Sequence, residues 1–236
     1  MAHSVAITGA NRGIGLALAR RYLDAGWTVL ATCRRPREAT NLIELQARCP
    51  DRLHVLSLDV NDEGSVAAAA RASGEIVDGI DVLINNAAVG SHEMAYSLET
   101  LDFDRTLAVF RTNSLGPLGV MRAFRPLLRK GESPRVINIS SGAGRISSKQ
   151  DHEMYDYGAS KAALNFLTRA AADELREDGI TVVAFSPGWV RTDMGGGAAP
   201  LSPEESAEGI FRSVEGLGLD DTSEWFNQEG RRSTSW

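Results

Sequence analysis

The chain has 236 residues, with 25 Lys and Arg against 31 Asp and Glu, a net charge of −6 and a pI near 5.3. That balance argues against non-specific nucleic-acid binding, which needs an excess of positive charge. No apolar run approaches the roughly 20 residues of a membrane-spanning helix.

The opening Met1-Ala2-His3-Ser4 leads straight into an apolar strand pattern, with no basic leader segment before it. Residues 4–8 read as a strand and 13–25 as a helix ended by Gly26. Residues 28–32 form the next strand, and 37–48 a helix closed before Pro50. A third strand at 53–58 precedes a helix capped by Asn61 or Asp62 and running through the alanines at 67–70. Residues 81–84 are a fourth strand. A long helical stretch spans about 102–128, and Gly116-Pro117 is expected to kink or interrupt it. A fifth strand at 135–139, a long helix at 154–177 and a sixth strand at 180–185 follow. A shorter helix begins at Pro203, and 224–227 offers a last edge strand.

Strands alternating with helices imply right-handed crossovers and a parallel sheet covered on both faces. No repeat or linker divides the chain, so residues 1–236 are expected to form one doubly wound α/β domain of about seven strands. The glycine-rich loop near 195–197 belongs to a substrate loop at about 189–203. Cys33 and Cys49 are expected to be free thiols in a reducing compartment. The scattered histidines suggest no metal site, and the whole pattern suits a cytoplasmic protein.

The first strand ends in Thr8-Gly9-Ala10-Asn11-Arg12-Gly13-Ile14-Gly15. Gly9 can turn the chain tightly, Gly13 lets backbone amides approach a pyrophosphate, and Gly15 lets the helix pack on the strand. The helix that starts here points free N–H groups and its positive end at the phosphates. An NAD site places an acid after the second strand; here stand Cys33, Arg34 and Arg35, and Arg12 sits within the glycine turn. Guanidinium groups there favour the 2′-phosphate of NADP.

Tyr157 and Lys161 are spaced i, i+4 at the start of a long helix, so phenol and ammonium share a face. A neighbouring ammonium is expected to pull the phenol pKa down from about 10 toward neutrality. Tyr155 has Ala159 four residues on and lacks that partner. The fifth strand ends at Ser140-Ser141, where a serine faces the carboxyl edge of the sheet and can donate to a carbonyl oxygen gaining charge. By position alone, Asn113 is an ordinary mid-helix asparagine.

Together, Thr8–Gly15, Asn85-Asn86-Ala87, Asn113, Ser141 with Tyr157 and Lys161, and Pro187-Gly188 resemble the short-chain dehydrogenase/reductase family over nearly the full chain. Residues 186–196, 199–202 and Glu229-Gly230 are similar to C-factor-like and Sniffer-like carbonyl reductases. The resemblance implies a Rossmann-type fold and NADPH-dependent reduction of a ketone or aldehyde, typically with the pro-S hydride. It implies Tyr157 as general acid, Lys161 lowering its pKa and holding the ribose, Ser141 polarising the carbonyl, and Asn113 supporting a water relay. The cofactor would contact Gly9, Asn11, Arg12, Gly13, Ile14, Gly15 and Arg34 at its phosphates and ribose. Asp59 and Val60 would meet the adenine, with Asn86 and Ala87 alongside. Pro187, Gly188, Val190 and Thr192 would lie on the nicotinamide side.

Substrate is expected against Ser141, Tyr157, Trp189 and Met194, with Val89, Ser91, Ile146, Met154 and Met94 as further candidate lining. Ala88 stands where the family has glycine, and either crowds the cofactor or stiffens the strand end. The family also implies a homodimer or homotetramer built on the helices at 102–128 and 154–177. The alternative reading is a dinucleotide-binding sensor or signalling protein with little turnover.

Overall fold

The computed structural model describes residues 3–90, 97–148, 154–233 and 236. Its strands are β1 (Ser4–Thr8), β2 (Thr28–Cys33), β3 (Leu53–Ser57), β4 (Val82–Asn85), β5 (Arg135–Ile139), β6 (Thr181–Phe185), β7 (Trp225–Phe226) and β8 (Arg232–Ser233). Between them run α1 (Gly13–Asp24), α2 (Thr40–Arg48), α3 (Glu63–Gly74), α4 (Phe103–Phe110), α5 (Gly116–Leu128), α6 (Tyr155–Leu175) and α7 (Pro203–Glu215). The strands form one sheet in the order β3-β2-β1-β4-β5-β6-β7-β8, parallel except for the β7–β8 pair. The inner part of that order is the doubly wound, Rossmann-type arrangement, in which the crossovers reverse beside β1 and open a crevice at the carboxyl ends of β1 and β4.

Both faces of the sheet are dry because successive side chains alternate between two cores. On one side Val5 and Ile7 of β1 pack with Leu18 and Tyr22 of α1, Leu42 of α2 and Phe211 of α7. On the other, Ala6 and Leu83 pack with Phe124 and Leu128 of α5 and Leu175 of α6. One polar chain crosses this second layer. Asn85 of β4 donates to Asn138 of β5 at 2.8 Å, and Asn138 donates to Thr168 of α6 at 2.9 Å. The two asparagines are paired neighbours in the ladder.

Helix starts carry the expected chemistry. Asp62, rather than Asn61, caps α3 through Ser65 N–H, and Ser202 with Glu205 forms a capping box at α7, with Pro203 in its first turn. Several boundaries differ from expectation. The helix expected at 37–48 divides into a 3-10 turn at Pro36–Glu38 and α2. The one expected at 102–128 is broken not at Gly116-Pro117 but one turn earlier, by a π-helical turn at Arg111–Leu115. Gly116 and Pro117 instead open α5, where a side chain at 116 would meet Val60 at 3.0 Å. The edge strand near 224–227 adds parallel to β6, and β8 then turns back on it, giving eight strands rather than about seven.

Among the described residues, no helix is long and apolar enough to cross a membrane. Nor does any group of three or more His, Cys, Asp or Glu side chains there suit a metal ion. Cys33 and Cys49 are both free.

Candidate functional site

The carboxyl ends of β1, β4 and β5 open into a cleft of about 410 Å³. Its phosphate end is the turn between β1 and α1. Gly9 and Gly13 take φ of +66° and +54°, the left-handed region that glycine enters without a Cβ clash. A Cβ on Gly15 would lie 2.4 Å from the Gly9 carbonyl oxygen and 2.5 Å from Asn86 Nδ2, so this glycine serves close packing. Arg12 at the N-cap makes no side-chain cap, and no acid occupies the first turn of α1. The first N–H groups therefore face the cleft with the positive end of the helix dipole behind them.

Asn86 ties this turn to the end of β4, donating from Nδ2 to the carbonyls of Thr8 (3.0 Å) and Gly9 (3.1 Å). In return, Thr8 Oγ1 accepts from the N–H groups of Asn86 and Ala87, each at 3.0 Å.

Asn11, Arg12, Ile14, Arg34, Asp59, Val60, Asn86 and Ala87 line the cleft with Gly9 and Gly13. Arg34 is exposed and makes no ion pair among the described residues, whereas Arg35 pairs with Glu38 at 3.2 Å. Ala88 lines the cleft as well. Thr192 lines the far side, but Pro187, Gly188 and Val190 shape that loop from behind. Pro187 accepts from Ser206 Oγ at 2.7 Å, Gly188 needs its φ of +81°, and Val190 is buried and bridges to Leu201.

The chemical end of the cleft is built on β5 and α6. Met154, in the left-handed region at φ +68°, turns the chain into α6 three residues before Tyr157. Asp156 is buried and accepts from Tyr157 N–H at 2.7 Å. Tyr157 and Lys161 both line the cleft, one helical turn apart, with Lys161 Nζ 5.7 Å from the phenol ring centre and donating to the Ile139 carbonyl at 2.8 Å.

The two serines at the end of β5 stand in different surroundings. Ser140 lines the cleft, yet its buried Oγ is committed to Asn165 Oδ1 at 2.5 Å; Ser141 does not line it, accepts from Ala143 N–H at 3.1 Å and lies close enough to the Tyr157 phenol to influence it. Tyr155 is part-exposed and does not line the cleft.

The electrostatics differ from the expectation of a lysine-acidified phenol. Burial pushes the Tyr157 phenol above its ordinary value, and the Ser141 hydrogen bond pulls the other way. Burial also lowers the Lys161 ammonium from 10.5 to about 7, so the lysine is only part-charged at neutrality.

Asn113 lies in the π-helical turn, fully buried, and does not line the cleft. Its Oδ1 accepts from Val89 N–H at 2.8 Å; its Nδ2 donates to the Val89 carbonyl at 2.8 Å and to Ser160 Oγ at 3.1 Å. Ser160 Oγ in turn donates to the Tyr157 carbonyl at 2.7 Å. With both ends of the amide engaged, Asn113 acts as a strut from the end of β4 to the helix that carries Tyr157.

Of the expected substrate residues, Met194 and Val89 line the cleft, and Trp189 stands exposed with its indole N–H donating to Gly195 O at 2.7 Å. Ile146 is exposed and Met154 partly so, and neither lines the cleft; Ser91 and Met94 lie outside the described residues. Sequence reading missed Cys33, Asn61, Thr112, Arg191 and Asp193 as cleft residues. Asn61 and Thr112 arrive together, joined by a 2.9 Å hydrogen bond, and Asp193 pairs with Arg12 at 2.6 Å. Only the Thr-Asp-Met run after Pro187-Gly188 hinted at the last.

Comparison with known proteins fits this geometry. The short chain dehydrogenase family profile matches residues 3–200. The C-signal protein of Myxococcus xanthus is 38% identical over 151 residues, covering 64% of this chain and 90% of that one. An NADPH-bound carbonyl reductase from chicken fatty liver superposes with a TM-score of 0.92 at 35% identity, over 100% of this chain and 99% of that one. The carbonyl reductase Sniffer of D. melanogaster gives 0.94 at 29% identity, with full coverage of both chains.

Proposed function

The chain belongs to the short-chain dehydrogenase family, and from that premise we propose that it is an NADP-dependent oxidoreductase reducing a ketone or aldehyde to an alcohol. The observation that carries the reading is Tyr157 with Lys161 Nζ 5.7 Å from its ring centre, both lining a cleft that begins in a glycine turn.

The residues present fit the cofactor. A cradle closed to any Cβ at Gly15 and an uncapped helix start suit a pyrophosphate. Arg34 and Arg12 suit a 2′-phosphate, and the carboxyl end of β2 offers no acid to a bare ribose hydroxyl. Asp59 and Val60 would flank the adenine, Lys161 the second ribose, and Thr192 the nicotinamide side. When bound, NADPH supplies the hydride.

The chain's own groups do the rest. Ser141 and Tyr157 converge on one carbonyl oxygen and donate to it as it gains charge. Tyr157, whose burial favours the protonated phenol, then gives up its proton. Ser141 stabilises the resulting phenolate by hydrogen bonding, and Lys161 does so by charge. Exposed Phe103, Leu107 and Phe166 on α4 and α6 support self-association through those helices as a homodimer or homotetramer.

The test is NADPH oxidation against quinones, aldehydes and ketones, for the wild type and Tyr157→Phe. General acid catalysis contributes roughly 10²–10⁴-fold. The variant is therefore expected to lose at least about 100-fold in kcat/KM while its NADPH affinity stays within a few-fold. Equal rates would remove Tyr157 from the mechanism. Tight NADPH binding by the wild type without turnover of any substrate would favour the dinucleotide-sensor reading instead.

A further inference from the structure

Arg12 and Arg34, two of the three arginines lining the cleft, stand in different states. Arg34 makes no ion pair among the described residues. Arg12 Nη1 lies 2.6 Å from Asp193 Oδ2, across 181 positions of sequence. That pair is part of a seam. The loop after β6 presses Thr192 against the glycine turn, where a Cβ on Gly13 would lie 3.2 Å from Thr192 Cγ2. It also presses Met194 against the end of β4, where a Cβ on Gly90 would lie 2.8 Å from Met194 Cγ. Asp193 is thus held in reach of Arg12 by packing on either side of it.

A carboxylate and a phosphate ask the same thing of a guanidinium: its planar fork of N–H donors. The side chains of Arg12 and Asp193 are 68% and 67% exposed, so the pair is weak enough to exchange. We propose that Asp193 is a specificity-determining residue that competes with the ribose 2′-phosphate for Arg12. This rests on the NADP reading above and adds a residue that works against it. Asp193 lowers the affinity for NADPH, leaves that for NADH alone, and so narrows the margin between the two cofactors.

Cofactor binding without a carbonyl substrate tests it, by fluorescence titration of NADPH and NADH against wild type, Asp193→Asn, Arg12→Ala and the double variant. An exposed ion pair contributes up to about 1 kcal/mol, which is about fivefold at 1.36 kcal/mol per decade. Asp193→Asn, which keeps the size of the side chain, is expected to bind NADPH three- to fivefold tighter with NADH affinity unchanged. In the Arg12→Ala background the same substitution is expected to change neither. An unchanged NADPH-to-NADH ratio, equal shifts for both cofactors, or a gain that persists without Arg12 would each overturn the inference. If the wild type bound no NADPH, the cofactor reading itself would fall, and this inference with it.

Discussion

Replacing Asn113 by alanine removes three hydrogen bonds at once, and the geometry sets what that costs. The amide is fully buried and serves both backbone groups of Val89 at 2.8 Å, plus Ser160 Oγ at 3.1 Å. Ser160 keeps its bond to the Tyr157 carbonyl, so the main loss falls on Val89. Each stranded backbone group costs roughly 1–1.5 kcal/mol when water reaches it only in part, and the hole left by the amide adds to this. The sum is about 2–4 kcal/mol, a sizeable share of the 5–15 kcal/mol typical of a folded domain. Urea unfolding reads it directly. With a slope of about 3 kcal/mol/M, the midpoint should fall by about 1 M and the slope should not change. NADPH should bind more weakly too, because Val89 and Ala88 line the cleft. A midpoint shift below about 0.2 M would show that the strut carries no load, and the argument would fail.

Because Lys161 titrates near 7, kcat/KM for carbonyl reduction should fall as pH rises through that value and the ammonium is lost. Lys161→Arg, which stays charged, should remove the inflection; a profile flat from pH 6 to pH 8.5, about 1 to 1.5 units either side of it, would refute the assignment. The folded value lies below the ordinary 10.5, so between about 7 and 10.5 the unfolded chain holds the extra proton. This group therefore penalises folding below pH 7, and its contribution to stability improves as pH rises across that window. On the surface, Phe103→Asp with Leu107→Asp should convert a dimer or tetramer to a monomer in light scattering. An unchanged mass would place the interface elsewhere.

The glycine turn was legible because it rests on local backbone chemistry. Gly9 and Gly13 need positive φ and Gly15 needs to lack a Cβ, and all three demands are written in the spacing. Tyr157 and Lys161 were legible because one helical turn fixes their relation. What stayed hidden depends on distant parts meeting. Asp193 reaches Arg12 only because β6 delivers its loop over β1, and Asn61 enters the cleft only because Thr112 holds it there. The break in the helix at Arg111–Leu115 was misplaced because Gly116-Pro117 is the louder local signal, while the π turn answers to Asn113 and Ser114 bonding inward to Val89 and to the Ser160 carbonyl. Burial, which raises the pKa of the phenol and lowers that of the lysine, cannot be read from a spacing at all.

The buried chain Asn85–Asn138–Thr168 has a consequence for how the two halves of the cleft stay level. Sliding β5 along β4 by two residues would keep every side chain on its own face, so hydrophobic burial alone would tolerate the error. It would also part the two amides and, depending on direction, set Asn85 opposite Val136 or Asn138 opposite Leu83, where that amide has no partner. The asparagines thus act as a notch that admits a single alignment. Since the chain leads from the end of β4 to Val89 and from the end of β5 to Ser141, that notch sets the height at which the walls of the site face one another.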